Sequence, residues 1–151
     1  MASPLSYHLH ASLGYQLSLA ARRQERRLEE HLKTLGLTRL AWCILLACGI
    51  EDLHKPSDIS TFIGVDRTAT SRCLKAMESQ GLIARVSGTT DRRTTTVQIT
   101  ARGQDLLEQG IPFAQANNQA MADNLTPDEK QTLDQLLRKL HTGQTITLQS
   151  F

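Results

Sequence analysis

Residues 57–81 read SDISTFIGVDRTATSRCLKAMESQG, two helix-length segments with only the tripeptide GVD between them. A connection this short, with a glycine in it, leaves two helices little choice but to cross against each other as a helix-turn-helix. Local signals frame both: Ser57 can cap a short helix DISTFI stopped by Gly64, and Asp66 can cap a second helix, RTATSRCLKAMESQ, that ends at Gly81. The next residues, LIARVS and TTTVQIT, read as two strands around the loop GTTDRR, with Val97 and Ile99 alternating against Thr96 and Gln98. This predicts a mainly α fold with a small β-hairpin wing.

Counted at about 100° per residue, Ala69, Cys73, Ala76 and Met77 share one face of the second helix, and Arg67, Thr68, Ser71 and Lys75 lie opposite. The first set packs and the second is free to bind. Small hydroxyl residues beside long cations suit a helix in the major groove of DNA, where Ser and Thr can approach base edges and Arg can bridge O6 and N7 of guanine. Thr70 and Arg72 flank this face, within reach of phosphates. A solvated helix face can carry the same residues with no ligand at all; the basic hairpin that follows favours nucleic acid.

The formal net charge is only +2, but it is unevenly distributed. From Gly64 to Arg102 there are seven basic residues against three acidic ones, a local excess of +4, while the remainder holds ten basic against twelve acidic. That is the footprint of a polyanion-binding patch. Arg92 and Arg93 sit at the hairpin tip, where a guanidinium can enter a narrow minor groove with its concentrated negative potential. Asp91 beside them can hold the tip in shape, or simply form an Asx-turn.

With 151 residues and 40% hydrophobic content the chain is long enough for one domain and short for two. Leu5, Leu9, Leu13 and Leu17, then Ala20, Ala21, Leu28, Leu32 and Leu35, predict one long first helix reaching about Thr34. About 30 residues would span roughly 45 Å, more than a small domain can cover alone, so this helix points to a partner chain. Thr38 can cap a second, centrally buried helix around LAWCILLAC. After the hairpin, Thr100 caps a helix reaching about Met121 and interrupted or bent at Pro112. Thr126, Pro127 and Glu129 form a capping box that starts a last helix with Leu133, Leu136, Leu137 and Leu140 on one face. The tail HTGQTITLQSF has no helical pattern.

These residues resemble the MarR family of bacterial winged-helix transcription regulators. The segment DRRTTTVQITARG fits the family's D-x-R…L-T-x-x-G pattern at Asp91, Arg93, Thr100 and Gly103, with Ile99 in place of Leu; GVDRTATSRCLKAMESQGLI resembles its recognition helix and LGLTRLAWCIL its second helix. The likeness runs from about Leu9 to Leu140. It implies a single domain over 1–151, with a DNA-binding lobe over about 36–100 and a dimerisation region from about 5–35 and 101–151. It also implies an obligate homodimer reading a palindromic site of double-stranded DNA, its half-sites about one turn apart. Arg93 would enter the minor groove, and Arg67, Thr68, Ser71 and Arg72 would contact the major groove and phosphates. Many relatives release DNA on binding a small aromatic or phenolic effector.

For an effector pocket the candidates are Tyr15, Trp42 and Leu46, although Trp42 in an all-apolar helix is more simply core. The three cysteines, Cys43, Cys48 and Cys73, suggest neither a disulfide framework nor a zinc site. Cys73, on the packing face of the recognition helix, is the candidate for an alternative redox-sensing regulator. His8 and His10 would point to different sides of a helix, which disfavours a metal. No phosphate loop, nucleophile elbow or paired acid and base spacing is present, so neither enzyme nor cofactor is expected. No membrane-length apolar run and no secretory pattern at MASPLSYHLH predict a cytoplasmic protein. A winged helix used as a protein-interaction module is the competing class.

Overall fold

In the computed structural model, residues 7–88 and 95–142 are described. Six helices, α1 (Leu13–Thr34), α2 (Arg39–Gly49), α3 (Pro56–Ile63), α4 (Arg67–Ser79), α5 (Ala101–Ala122) and α6 (Pro127–His141), accompany one antiparallel hairpin, β1 (Ile83–Ser87) with β2 (Thr95–Ile99). Ile83 pairs with Ile99 and Arg85 with Val97, so Val97 and Ile83 turn into the core.

The first helix is shorter than its leucine spacing suggests. Leu9–Ala11 form a single 3-10 turn, and the chain leaves helical geometry at Ser12, whose hydroxyl accepts from the Tyr15 amide at 3.2 Å. A serine that can cap competes with helix continuation, and the cap prevails here. Leu5 and the tail beyond Thr142 lie outside the described residues.

The core gathers on α2, where Ala41, Trp42, Ile44, Leu45, Ala47 and Cys48 are all buried. Leu32 of α1, Ile59 of α3, Leu74 and Met77 of α4, the hairpin pair Ile83 and Val97, and Leu107 of α5 close around it. Each fully buried Leu or Ile contributes about 1.5–3 kcal/mol. Thr38, Asp66, Thr100 and Thr126 cap as expected, and Thr126 with Glu129 completes the capping box. Ser57 does not cap α3: that helix starts at Pro56 after Lys55, because proline's fixed φ and missing N–H suit the first helical position. Helix α5 runs through Pro112 without interruption. Packing holds it on both sides of the proline: Gly110 sits flat against the Trp42 ring, where any Cβ would collide, and Asn117 is fixed to α1.

Helix α6 contains no buried residue, and Leu136 and Leu140 are each 52% exposed. Among the described residues no single helix is long and apolar enough to cross a membrane.

Candidate nucleic-acid interface

Gly64 ends α3 in the left-handed region at φ 78°, and Asp66 opens α4 by accepting the Ala69 amide at 2.8 Å. This turn fixes which side of α4 faces inward. Ala69, Thr70, Leu74 and Met77 are buried, Cys73 is half-buried, and Arg67, Thr68, Ser71, Arg72, Lys75 and Ala76 are exposed.

Two sequence assignments need correction. Thr70 is 1% exposed and its hydroxyl donates to the Asp66 carbonyl at 3.0 Å, so it packs and cannot reach a phosphate. Ala76 was expected to pack and is exposed, while Leu74, absent from the expected packing set, is buried. The true inward stripe is centred near Met77 and Thr70 rather than Cys73. A helical wheel already sets Thr70 between Met77 and Leu74.

Arg67, Arg72 and Lys75 make no ion pair among the described residues. Arg85 differs. Its guanidinium donates to Glu78 at 2.8 Å and its amide approaches the other carboxylate oxygen at 3.3 Å. These hydrogen bonds hold the Glu78 carboxyl below the usual range and tie the end of α4 to the first strand of the hairpin. Arg85 is therefore a brace, and one charge of the basic segment is neutralised locally.

The second strand is held from the other side. His54 accepts the Val97 amide on its carbonyl at 2.7 Å, and its ring bridges the Val97 carbonyl and the Asp52 carboxylate, each at 2.9 Å. Asp52 adopts a left-handed φ of 55°, which Asp tolerates better than most residues. The Val97 carbonyl, then the Asp52 carboxylate, raise the His54 pKa. The wing residues Asp91, Arg92 and Arg93 lie outside the described residues.

A cleft of about 500 Å³ opens beside α4, walled by Glu29, Arg39, Arg72, Cys73 and Gln80 among others. Arg39 spans its edge, reaching Glu25 at 3.2 Å and Glu29 at 3.7 Å and joining α2 to α1. Tyr15, Trp42 and Leu46 do not line it. Trp42 is core, and Tyr15 stacks edge-on against His10 with ring centroids 4.8 Å apart. The sequence missed Arg39 and Gln80 as cleft residues because they are charged or polar, and the search there was for aromatic walls. Burial pushes the Cys48 and Cys73 thiols up to about 11 and raises that of Cys43, which leaves little thiolate near neutral pH.

A model of the MarR family matches residues 35–94, which span α2 through β1 and stop short of β2. The family model, the relatives and the solved structures together support a MarR-family transcriptional regulator. The chain is 28% identical over 129 residues to the multiple antibiotic resistance protein MarR of Escherichia coli K12, covering 85% of this chain and 90% of that one. It is 29% identical over 140 residues to the transcriptional repressor MprA of the same organism, covering 87% and 80%. A solved variant of Escherichia coli MarR complexed with operator DNA matches at a TM-score of 0.78 and 29% identity, over 85% of this chain and 92% of that one. The fold also matches Bordetella bronchiseptica BpsR, whose DNA binding is regulated by 6-hydroxynicotinic acid, at a TM-score of 0.83 and 24% identity, over 93% of this chain and all of that one. These likenesses support a DNA-binding transcriptional regulator, with the winged-helix architecture the sequence predicts.

Proposed function

We propose that this protein is a homodimeric, sequence-specific repressor that reads a palindromic DNA site through α4 and the hairpin. The observation that carries the reading is the outward face of α4, where Arg67, Arg72 and Lys75 stand without ion pairs beside Thr68 and Ser71. Arg67, Thr68, Ser71 and Lys75 face base edges, and Arg72 at the margin takes a phosphate. Arg93 enters the minor groove, with Arg92 on the backbone and Asp91 shaping the loop. The braces at Glu78–Arg85 and His54–Val97 support this, since a wing fixed to α4 loses less entropy on binding.

Selection of bound duplexes from a random pool tests the reading. Recovery of a palindrome with half-sites about one turn apart is expected; no enrichment by folded protein overturns it and favours an interaction module, which would bind DNA weakly and without preference.

The cleft beside α4 supports a small-molecule effector. Arg72 lines it, so a ligand carrying an anionic group would draw that guanidinium away from DNA.

A further inference from the structure

We infer that Glu78 is a positioning residue for DNA recognition: its carboxylate fixes the tilt of the exposed strand β1 against α4, and so decides whether the hairpin tip and the outward face of α4 engage neighbouring grooves together. The inference rests on the DNA-binding reading above and deepens it, since Glu78 acts on that site without touching the ligand. The two strands of the hairpin are anchored differently. On β2, Val97 is fully buried and its amide donates to the His54 carbonyl at 2.7 Å. On β1 only Ile83 is buried, and the four residues after it are exposed. Arg85 lies opposite Val97 in the register, and its amide donates to a Glu78 carboxylate oxygen at 3.3 Å. Both amides therefore point away from the partner strand, as in the non-hydrogen-bonded kind of antiparallel pair.

Glu78 takes up the outward donor of the exposed strand. Its second carboxylate oxygen accepts from Arg85 Nε at 2.8 Å, so one carboxylate grips both the backbone and the side chain of a single β1 residue. Among the described residues no other side chain from outside the hairpin hydrogen-bonds to β1. The grip opposes a swing about a short link, because α4 ends at Ser79 and β1 begins at Ile83. An exposed ion pair adds little to the stability of a fold, and the worth of this one lies in geometry. Ordering of the wing against α4 is complete in the free protein, so it does not weaken binding when the tip meets DNA.

Two measurements on the full chain test this: operator affinity through a double-mutant cycle of Glu78→Ala with Arg93→Ala, and the distance between nitroxides carried on unnatural residues at Ser79 and Ser87, both exposed. Glu78→Ala should melt close to wild type, broaden the nitroxide distance distribution and weaken operator binding about three- to tenfold. It should have no further effect once Arg93 is alanine, since a wing that no longer enters the groove gains nothing from being held. Glu78→Gln keeps an oxygen that can accept the Arg85 amide and should fall between; it is read in place of alanine where alanine does not fold. Equal losses in both Arg93 backgrounds, or an unbroadened distance distribution, overturn the positioning role while leaving DNA binding standing. Arg93→Ala without effect on wild-type affinity overturns the wing reading and this inference with it. A wild-type protein with no operator preference overturns the DNA reading, and the nitroxide distances, which need no DNA, then still judge whether Glu78 sets the tilt of β1.

Discussion

Thr100 and Gly103 carry a motif whose physical basis lies in one small junction. The Thr100 hydroxyl donates to the Gly81 carbonyl at 2.7 Å and accepts the Gly103 amide at 3.1 Å, while its own amide donates to Leu82. A Cβ at Gly103 would strike the Leu82 carbonyl oxygen and crowd Ile99. Gly103→Ala should therefore destabilise the fold by about 1–3 kcal/mol through overpacking, although alanine is the better helix former by about 1 kcal/mol; a melting temperature equal to wild type would contradict the close contact. Lys75 and Thr70 give a second residue-level contrast. Lys75→Ala should relax specificity at one base, as the loss of an edge contact does; uniform weakening across DNA sequences with a salt slope lower by about one would make it a phosphate contact instead. Thr70→Val, changing a buried side chain, should leave the slope alone and show its effect in thermal stability.

At the scale of elements, the contact of His54 with the second strand should respond to protonation. The two ring nitrogens of His54 face a carbonyl and a carboxylate, both acceptors, so only the doubly protonated ring serves both. Its pKa is raised accordingly. The stabilisation is complete below the ordinary imidazole value of about 6.5 and fades as pH rises through the higher folded-state value. The melting-temperature gap between wild type and His54→Ala should thus be widest in mild acid and narrow above neutrality; a gap that widens with pH would contradict the arrangement. Solvent reaches this ring, so the effect should be modest. His54 was not legible in the sequence, since its partners lie two and 43 positions away. Caps and turns were legible at Thr38, Gly64, Asp66, Thr100 and Thr126 because each is decided within four residues. The break at Ser12 and the continuity through Pro112 were not, because one turns on which of two local options prevails and the other on packing against Trp42. On α4 the exposed cations were readable, but the inward stripe was placed off centre by counting Ala76 as apolar and passing over Leu74. Trp42 stands away from the cleft for a tertiary reason: Gly110 lets its ring lie flat on α5, which consumes its surface.

At the scale of the molecule, the two ends of the chain leave a broad apolar surface that the single-chain core does not use. Leu9, Leu13, Leu17 and Leu19 near the start, with Leu133, Leu136 and Leu140 near the end, remain exposed while α2 carries most of the buried core. Core and dimer surface are therefore separable by mutation. Replacing Leu136 and Leu140 together with aspartate removes apolar area only from α6, which contributes no buried residue, and sets unpaired charge against any apolar partner face. The variant should keep its far-ultraviolet spectrum and its α2-centred core yet sediment as a monomer. A monomer engages one half-site at a time and forfeits the effective concentration of the tethered second lobe, which is worth about 10²–10⁴ in affinity. Operator binding should weaken by that order while the affinity for an isolated half-site stays near wild type. If the variant is monomeric and still binds the full operator as tightly as before, one lobe alone reads the site and the palindromic mode of recognition fails.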